Sequence, residues 1–207
     1  MSTFALLPVN KPSEAKSRLA AKLTMAERRE LVLCMTMDVL DALSGLPTVV
    51  VCPEDIRPSL REYEFYFLLQ KRRGLNNAVE AANWYAAKLG AEATLFVPAD
   101  VPLLSRETVR EILSLGRKHR LIMSPSRRRG IGMLYRRPPE LMRALFSDKS
   151  FDDNLEEASK KGIDAFIYRN PELYADIDTP EDVRVFLGVG DGTRSYELLK
   201  KLETRFK

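Results

Sequence analysis

The chain has 207 residues, 45% of them hydrophobic, enough for one sizeable core and too few for several large domains. Thirty-three basic residues against 29 acidic ones leave a net charge of +4, so any anion-binding surface has to come from local clustering of cations rather than from overall composition. Two cysteines and one histidine exclude a disulfide framework, a cysteine-based zinc site and a Ser–His or Cys–His nucleophile arrangement. Cys34 and Cys52 read as core residues, and His119, within Arg117-Lys118-His119-Arg120, reads as solvated. The N-terminal run Met1 to Pro8 has neither a basic n-region nor a long apolar segment after it, so neither a signal peptide nor a membrane span is expected, and the reading is cytoplasmic.

Phe4-Ala5-Leu6-Leu7-Pro8-Val9 is short and apolar throughout, the pattern of a first buried strand, and it runs into a loop carrying Lys11, Lys16 and Arg18. Thr24-Met25-Ala26-Glu27 is a capping box opening a long helix, with Leu33, Met37, Leu40 and Leu43 expected on its buried stripe. Thr48-Val49-Val50-Val51-Cys52 and Phe65-Tyr66-Phe67-Leu68-Leu69 predict two further strands. Gly74-Leu75-Asn76-Asn77 leads into a helix that Gly90 closes. Ala93-Thr94-Leu95-Phe96-Val97 is another buried strand, ending in Pro98-Ala99-Asp100-Val101-Pro102. A helix capped by Ser105, a strand Leu121-Ile122-Met123 and an antiparallel strand Ile131-Gly132-Met133-Leu134-Tyr135 follow. A helix initiated by Pro138-Pro139, a second from about Ser150 to Lys161, and a last strand Ala165-Phe166-Ile167-Tyr168 come next. Thr179 and Pro180 start a final helix of the domain (residues 1–187). The tail, residues 188–207, predicts a basic amphipathic helix that docks on another subunit, hence a homodimer.

The order is that of an α/β fold, a single Rossmann-like domain with a mixed, mostly parallel sheet flanked by helices. In such sheets ligands sit beyond the strand C-termini, where the loop after the first strand receives phosphates. No glycine-rich phosphate motif is present there, but Lys11, Lys16 and Arg18 supply positive charge, Arg in bidentate form. Asp100 ends a buried strand at the same edge, the place for a metal ligand, although a lone Asp between prolines is equally an ordinary turn former. Asp176 and Asp178 alternate around Ile177 and so point one way while Ile177 points the other. Carboxylates plus cations, with no histidine to move a proton, favour nucleotidyl transfer onto a phosphate, in which catalysis is positioning and charge neutralisation.

These residues resemble the guanylyltransferases that activate 2-phospholactate or phosphoenolpyruvate with GTP in the assembly of the deazaflavin (F-420) coenzyme. The resemblance rests on Pro8-Val9 with Ala15-Lys16-Ser17-Arg18-Leu19, on Gly74-Leu75-Asn76-Asn77-Ala78, on Pro98-Ala99-Asp100-Val101-Pro102-Leu103-Leu104, on Ser150-Phe151 and on Asp176-Ile177-Asp178-Thr179-Pro180-Glu181-Asp182. The last two carboxylate segments are shared with wider nucleotidyltransferases. The resemblance implies a nucleotidyltransferase domain in which Asp100 and Asp178, with Asp176 beside them, hold magnesium. Lys16 and Arg18 take the triphosphate and act with Asp100 in catalysis; Leu7, Pro8, Lys11, Asn76 and Ala99 complete the GTP site, Asn76 on guanine. Arg129, Gly130, Ser147 and Ser150 face the acceptor.

Two departures concern that acceptor: Arg129-Gly130-Ile131-Gly132 replaces a Gly-Gly-Thr-Asn loop, and Asn154 stands where a His often follows Ser-Phe. They leave open a sugar phosphate or molybdopterin as acceptor. An RNA-binding protein using Arg127, Arg128, Arg129, Arg136 and Arg137 is the reading from another class, although no nucleic acid and no membrane partner are expected.

Overall fold

Runs of Val, Leu, Ile and Phe without polar interruption make strands that must be covered on both faces. The structure, a computed structural model describing residues 2–127 and 129–207, places seven such strands in one sheet. They are β1 Thr3–Pro8, β2 Thr48–Cys52, β3 Tyr66–Leu69, β4 Ala93–Phe96, β5 Leu121–Pro125, β6 Ile131–Arg136 and β7 Ala165–Ile167, in the order β3-β2-β1-β4-β6-β5-β7. Among the described strands β6 alone is antiparallel to its neighbours, as its sequence predicts. From β1 the chain works outward through β2 and β3, then returns to pair β4 on the other side of β1. That reversal opens a crevice at the C-terminal ends of β1 and β4.

The helices are α1 Met25–Ala42, α2 Leu75–Lys88, α3 Arg106–Leu115, α4 Ser150–Lys160, α5 Pro180–Leu187 and α6 Arg194–Lys201. Alternation along the strands divides the core. Ala5 and Leu7 pack with α1, α3, α5 and α6, whereas Phe4 and Leu6 pack with α2 and α4. The Thr24 capping box forms as expected. The buried stripe of α1, however, runs through Leu31, Val32, Met35 and Val39, while Leu33 and Met37 are half-buried. The sheet and α6 both cover α1, so its buried arc is broader than one periodic stripe and includes Thr36 and Asp38.

The C-terminal tail packs on α1 of its own chain, burying Leu199 and Phe206. Asp38 accepts the Ser195 hydroxyl at 2.6 Å and the Ser195 N–H at 3.0 Å, and Arg205 donates to Glu27 at 2.8 Å. No helix among the described residues is long and apolar enough to cross a membrane.

The helix expected from Pro138-Pro139 does not form; residues 137–149 are irregular. Side chains from neighbouring elements take the backbone groups that a helix would have used. Asn83 donates to the Pro139 carbonyl at 3.1 Å, Arg136 to the Met142 carbonyl at 2.9 Å, and Asn154 to the Leu145 carbonyl at 2.6 Å. His119 is not solvated but half-buried, its ring 4.4 Å from that of Phe166.

Hydrogen bonds from Arg205 and then from Thr24 pull the Glu27 carboxyl down to about 2. A carboxyl depressed by folding stabilises the fold above the ordinary carboxylate range, and that contribution is lost as pH falls toward the depressed value. Glu27→Gln should therefore lower Tm at neutral pH and converge with wild type in acid. Melting curves across that range check this, and identical curves at neutral pH would contradict it.

Candidate active site

The loop leaving β1 owes its shape to one residue. Lys16 has a left-handed backbone, φ 55° and ψ 39°, a conformation that is costly for a side-chain-bearing residue and is kept only where its surroundings enforce it. Its carbonyl accepts the Leu19 N–H at 2.9 Å, starting a 3-10 turn that carries Leu19 into the core. The Lys16 side chain is only 3% exposed, and its Nζ donates to Asp100 Oδ2 at 2.9 Å and to Asp178 Oδ1 at 3.0 Å. Burial by itself would lower the lysine pKa, but the two carboxylates outweigh it and hold the ammonium above its ordinary value.

Asp100 and Asp178 reach the same point from distant sequence positions because their backbones are joined. The pairing of β4 with β1 continues through the Val97 N–H to the Leu6 carbonyl at 3.1 Å, which delivers Asp100 to the crevice. The Asp100 carbonyl then accepts the Ile177 N–H at 3.3 Å, while the Ile177 side chain is buried in the core. Asp178 precedes the Thr179 cap of α5, and its N–H donates to Asp182 at 3.1 Å. Arg18, largely exposed, donates to the other Asp178 oxygen at 3.2 Å. The Asp100 and Asp178 oxygens that meet Lys16 lie less than about 6 Å apart, close enough to share one cation. Asp176 lines the same cavity. Among the described residues no group of three or more His, Cys, Asp or Glu side chains is arranged for a metal.

The cavity beside them has a volume of about 200 Å³ and is lined in part by Pro8, Lys16, Ala99, Asp100, Ser126 and Gly132. Past Pro8 and Leu75 it continues into a second space of about 390 Å³ bordered by Lys11, Gln70, Arg73 and Gly74. Leu7 is buried beneath it, and Lys11 is paired with Glu14. At Gly132 a Cβ would stand 2.7 Å from the Leu173 carbonyl oxygen, so backbone fills the space a side chain would need.

Of the residues expected to face the acceptor, Ser150 is buried and its hydroxyl accepts the Ile131 N–H at 3.1 Å. Gly130 lies against Ser126, whose Oγ would be 2.8 Å from a Cβ there. The Ser147 hydroxyl donates to Asp153 and accepts the Lys149 N–H at 3.1 Å. Among the described residues these arginines do not form one basic face. Arg127 pairs with Asp182 at 3.1 Å, Arg129 pairs with Asp152, and Arg128 lies outside the described residues. Arg136 is buried, donating to Asn83 at 2.7 Å, and burial lowers its pKa to about 10.

Residues 3–207 match the family model described as guanylyl transferase CofC like. The chain belongs to that family. A 2-phospho-L-lactate guanylyltransferase from Methanocaldococcus fervens is 34% identical, covering 95% of this chain and 90% of that protein. A phosphoenolpyruvate guanylyltransferase from Rubrobacter xylanophilus is 35% identical, covering 88% and 92%. The fold is shared with a crystal structure of a protein assigned as a nucleotide-diphospho-sugar transferase from Desulfovibrio desulfuricans G20, with a TM-score of 0.82 at 16% identity, covering 100% of this chain and 97% of that one. The chain is thus an enzyme, a guanylyltransferase with a nucleotidyltransferase fold.

Within this guanylyltransferase, two amides hold the wall of the site. Asn76, at the start of α2, donates to the Phe146 carbonyl and accepts its N–H, both at 2.9 Å. Asn154, fully buried, does the same for Leu145, at 2.6 and 3.1 Å, and also donates to the Ser150 carbonyl at 2.6 Å. The Phe146 ring in turn packs tilted, at 57°, against that of Phe96 at the end of β4, with centroids 4.7 Å apart. Sequence reasoning singled out Asn154 only as a departure. A neutral amide four residues after Ser150 on an otherwise acidic helix was the available signal. Asn154→Ala strands the Leu145 N–H and carbonyl and should cost roughly 1–3 kcal/mol in urea unfolding. No loss of stability would remove Asn154 as the clamp of this segment.

Proposed function

We propose that this guanylyltransferase transfers GMP from GTP to the phosphate of 2-phospho-L-lactate or phosphoenolpyruvate, releasing pyrophosphate, as a step in deazaflavin coenzyme assembly. The observation that carries the reading is the convergence of Lys16, Asp100 and Asp178 on one point at the C-terminal ends of β1 and β4. An acceptor phosphate oxygen attacks the α-phosphorus of GTP, and the bond to the β-phosphate breaks. Because the acceptor is already ionised, no proton has to be removed, in keeping with a site that has no histidine.

Asp100 and Asp178 fit magnesium. Their oxygens already meet at a cation, the Lys16 ammonium, and hard carboxylate donors suit that ion. Bound there, the metal supplies charge neutralisation for the transferring phosphoryl group. Lys16 and Arg18 bind the triphosphate, with Lys11 farther along the loop; Leu7, Pro8 and Ala99 border the nucleotide. Asn76 contributes by holding Phe146 rather than by direct contact with the base. Gly130, Ser147 and Ser150 shape the acceptor end, and Arg129 supplies a cation to the acceptor once it parts from Asp152.

Incubation with magnesium, GTP and each phosphoacid should release pyrophosphate with one of the two; release with neither overturns the acceptor assignment. Asp100→Asn and Asp178→Asn should each reduce kcat at least about 100-fold with the melting transition retained, since Asn keeps shape but not charge. Arg129→Ala should raise KM for the acceptor and leave that for GTP nearly unchanged, the pattern of lost ground-state binding. Equal losses for both substrates would assign Arg129 to general electrostatics instead.

A further inference from the structure

Lys16 stands where a cation shared by Asp100 and Asp178 would stand. Its Nζ takes one oxygen from each carboxylate, and Arg18 takes the second oxygen of Asp178. An ion that takes the two oxygens facing each other, Asp100 Oδ2 and Asp178 Oδ1, therefore replaces the Lys16 ammonium there. The two cations differ in what displacement costs them, because the lysine is 3% exposed while Arg18 is 64% exposed. Arg18 loses little by turning to solvent. A lysine inside the cavity wall needs another anion if its ammonium is to leave the carboxylates.

We infer that Lys16 is an internal counter-ion that competes with the divalent metal for the Asp100–Asp178 pair, so that metal and nucleotide triphosphate bind cooperatively through it. The inference rests on the metal site proposed above. With no nucleotide bound, the ammonium neutralises the carboxylates and weakens metal binding. When the triphosphate enters, its oxygens give Lys16 a new partner and the carboxylates become available to the ion. By linkage, the factor by which the nucleotide tightens metal binding equals the factor by which metal tightens nucleotide binding. The left-handed backbone of Lys16 suits this role, because it sets the side chain inside the wall, within reach of both carboxylates and of the cavity they face.

The test is Mn²⁺ binding followed by electron paramagnetic resonance, with and without a GTP analogue that has a methylene bridge between the α and β phosphates. In the wild type the analogue should tighten Mn²⁺ binding at least about tenfold. Lys16→Met should bind Mn²⁺ without nucleotide about tenfold more tightly than wild type, and the analogue should then change its affinity by less than about threefold. Lys16→Gln, which keeps a hydrogen-bonding group without charge, gives the same reading if the Met variant does not fold. If neither variant binds Mn²⁺ more tightly than wild type, the counter-ion role is overturned. Asp100→Asn and Asp178→Asn separate the two ideas. If these leave Mn²⁺ binding unchanged in the presence of the analogue, the metal site itself is wrong; if they abolish binding while the lysine variants fail to strengthen it, only the competition is wrong.

Discussion

One buried ammonium joins three parts of this molecule that are remote in sequence. Lys16 belongs to the loop after β1, Asp100 to the exit of β4, and Asp178 to the turn before α5, and their side chains meet within 3.0 Å of a single atom. Two carboxylates brought this close repel unless a cation lies between them, and a lysine with so little exposure needs both to remain charged. Each group is therefore the condition for the others. The Ile177 N–H on the Asp100 carbonyl and the buried Ile177 side chain supply the rigid frame that keeps the carboxylates facing the lysine.

The opposite wall is held by a different kind of force. Residues 137–149 have no regular structure, yet they sit over a hydrophobic core that includes Met142 and Ala144. Side-chain amides and one guanidinium replace the missing ladder: Asn76 on Phe146, Asn154 on Leu145, Asn83 on Pro139 and Arg136 on Met142. An amide presents a donor and an acceptor side by side, which matches a peptide group. The same property makes an asparagine suited to a nucleobase edge, so the residue type alone does not distinguish the two uses. Buried networks of this sort are stable only when complete, which ties α2 and α4 to the position of the irregular segment.

Among the described residues the arginines are distributed without an extended basic face. Arg127 and Arg129 each answer a carboxylate on a different helix, α5 and α4, and Arg136 is enclosed by backbone. An RNA-binding surface built from them therefore has no contiguous footprint among the described residues. Lys11, Lys16 and Arg73 instead border the cavities at the strand ends.

Strand positions, the mixed sheet with an antiparallel β6, and the caps at Thr24, Ser105 and Thr179 were all legible in the sequence. These follow from local rules: apolar runs of strand length, a hydroxyl before a helix, a carboxylate at the end of a buried strand. What the sequence could not specify were relations between distant segments. Pro138-Pro139 carries the local signature of a helix start, but Asn83, Arg136 and Asn154, brought near by folding, offer its backbone better-placed partners. The tail has the amphipathic pattern of a docking helix, which says that an apolar face must be covered and not which surface covers it; α1 of the same chain does so. Asp178 was legible as a carboxylate aimed at the crevice, whereas its sharing of one lysine with Asp100 was decided by tertiary structure, because only the closed sheet brings the ends of β1 and β4 and the start of α5 together.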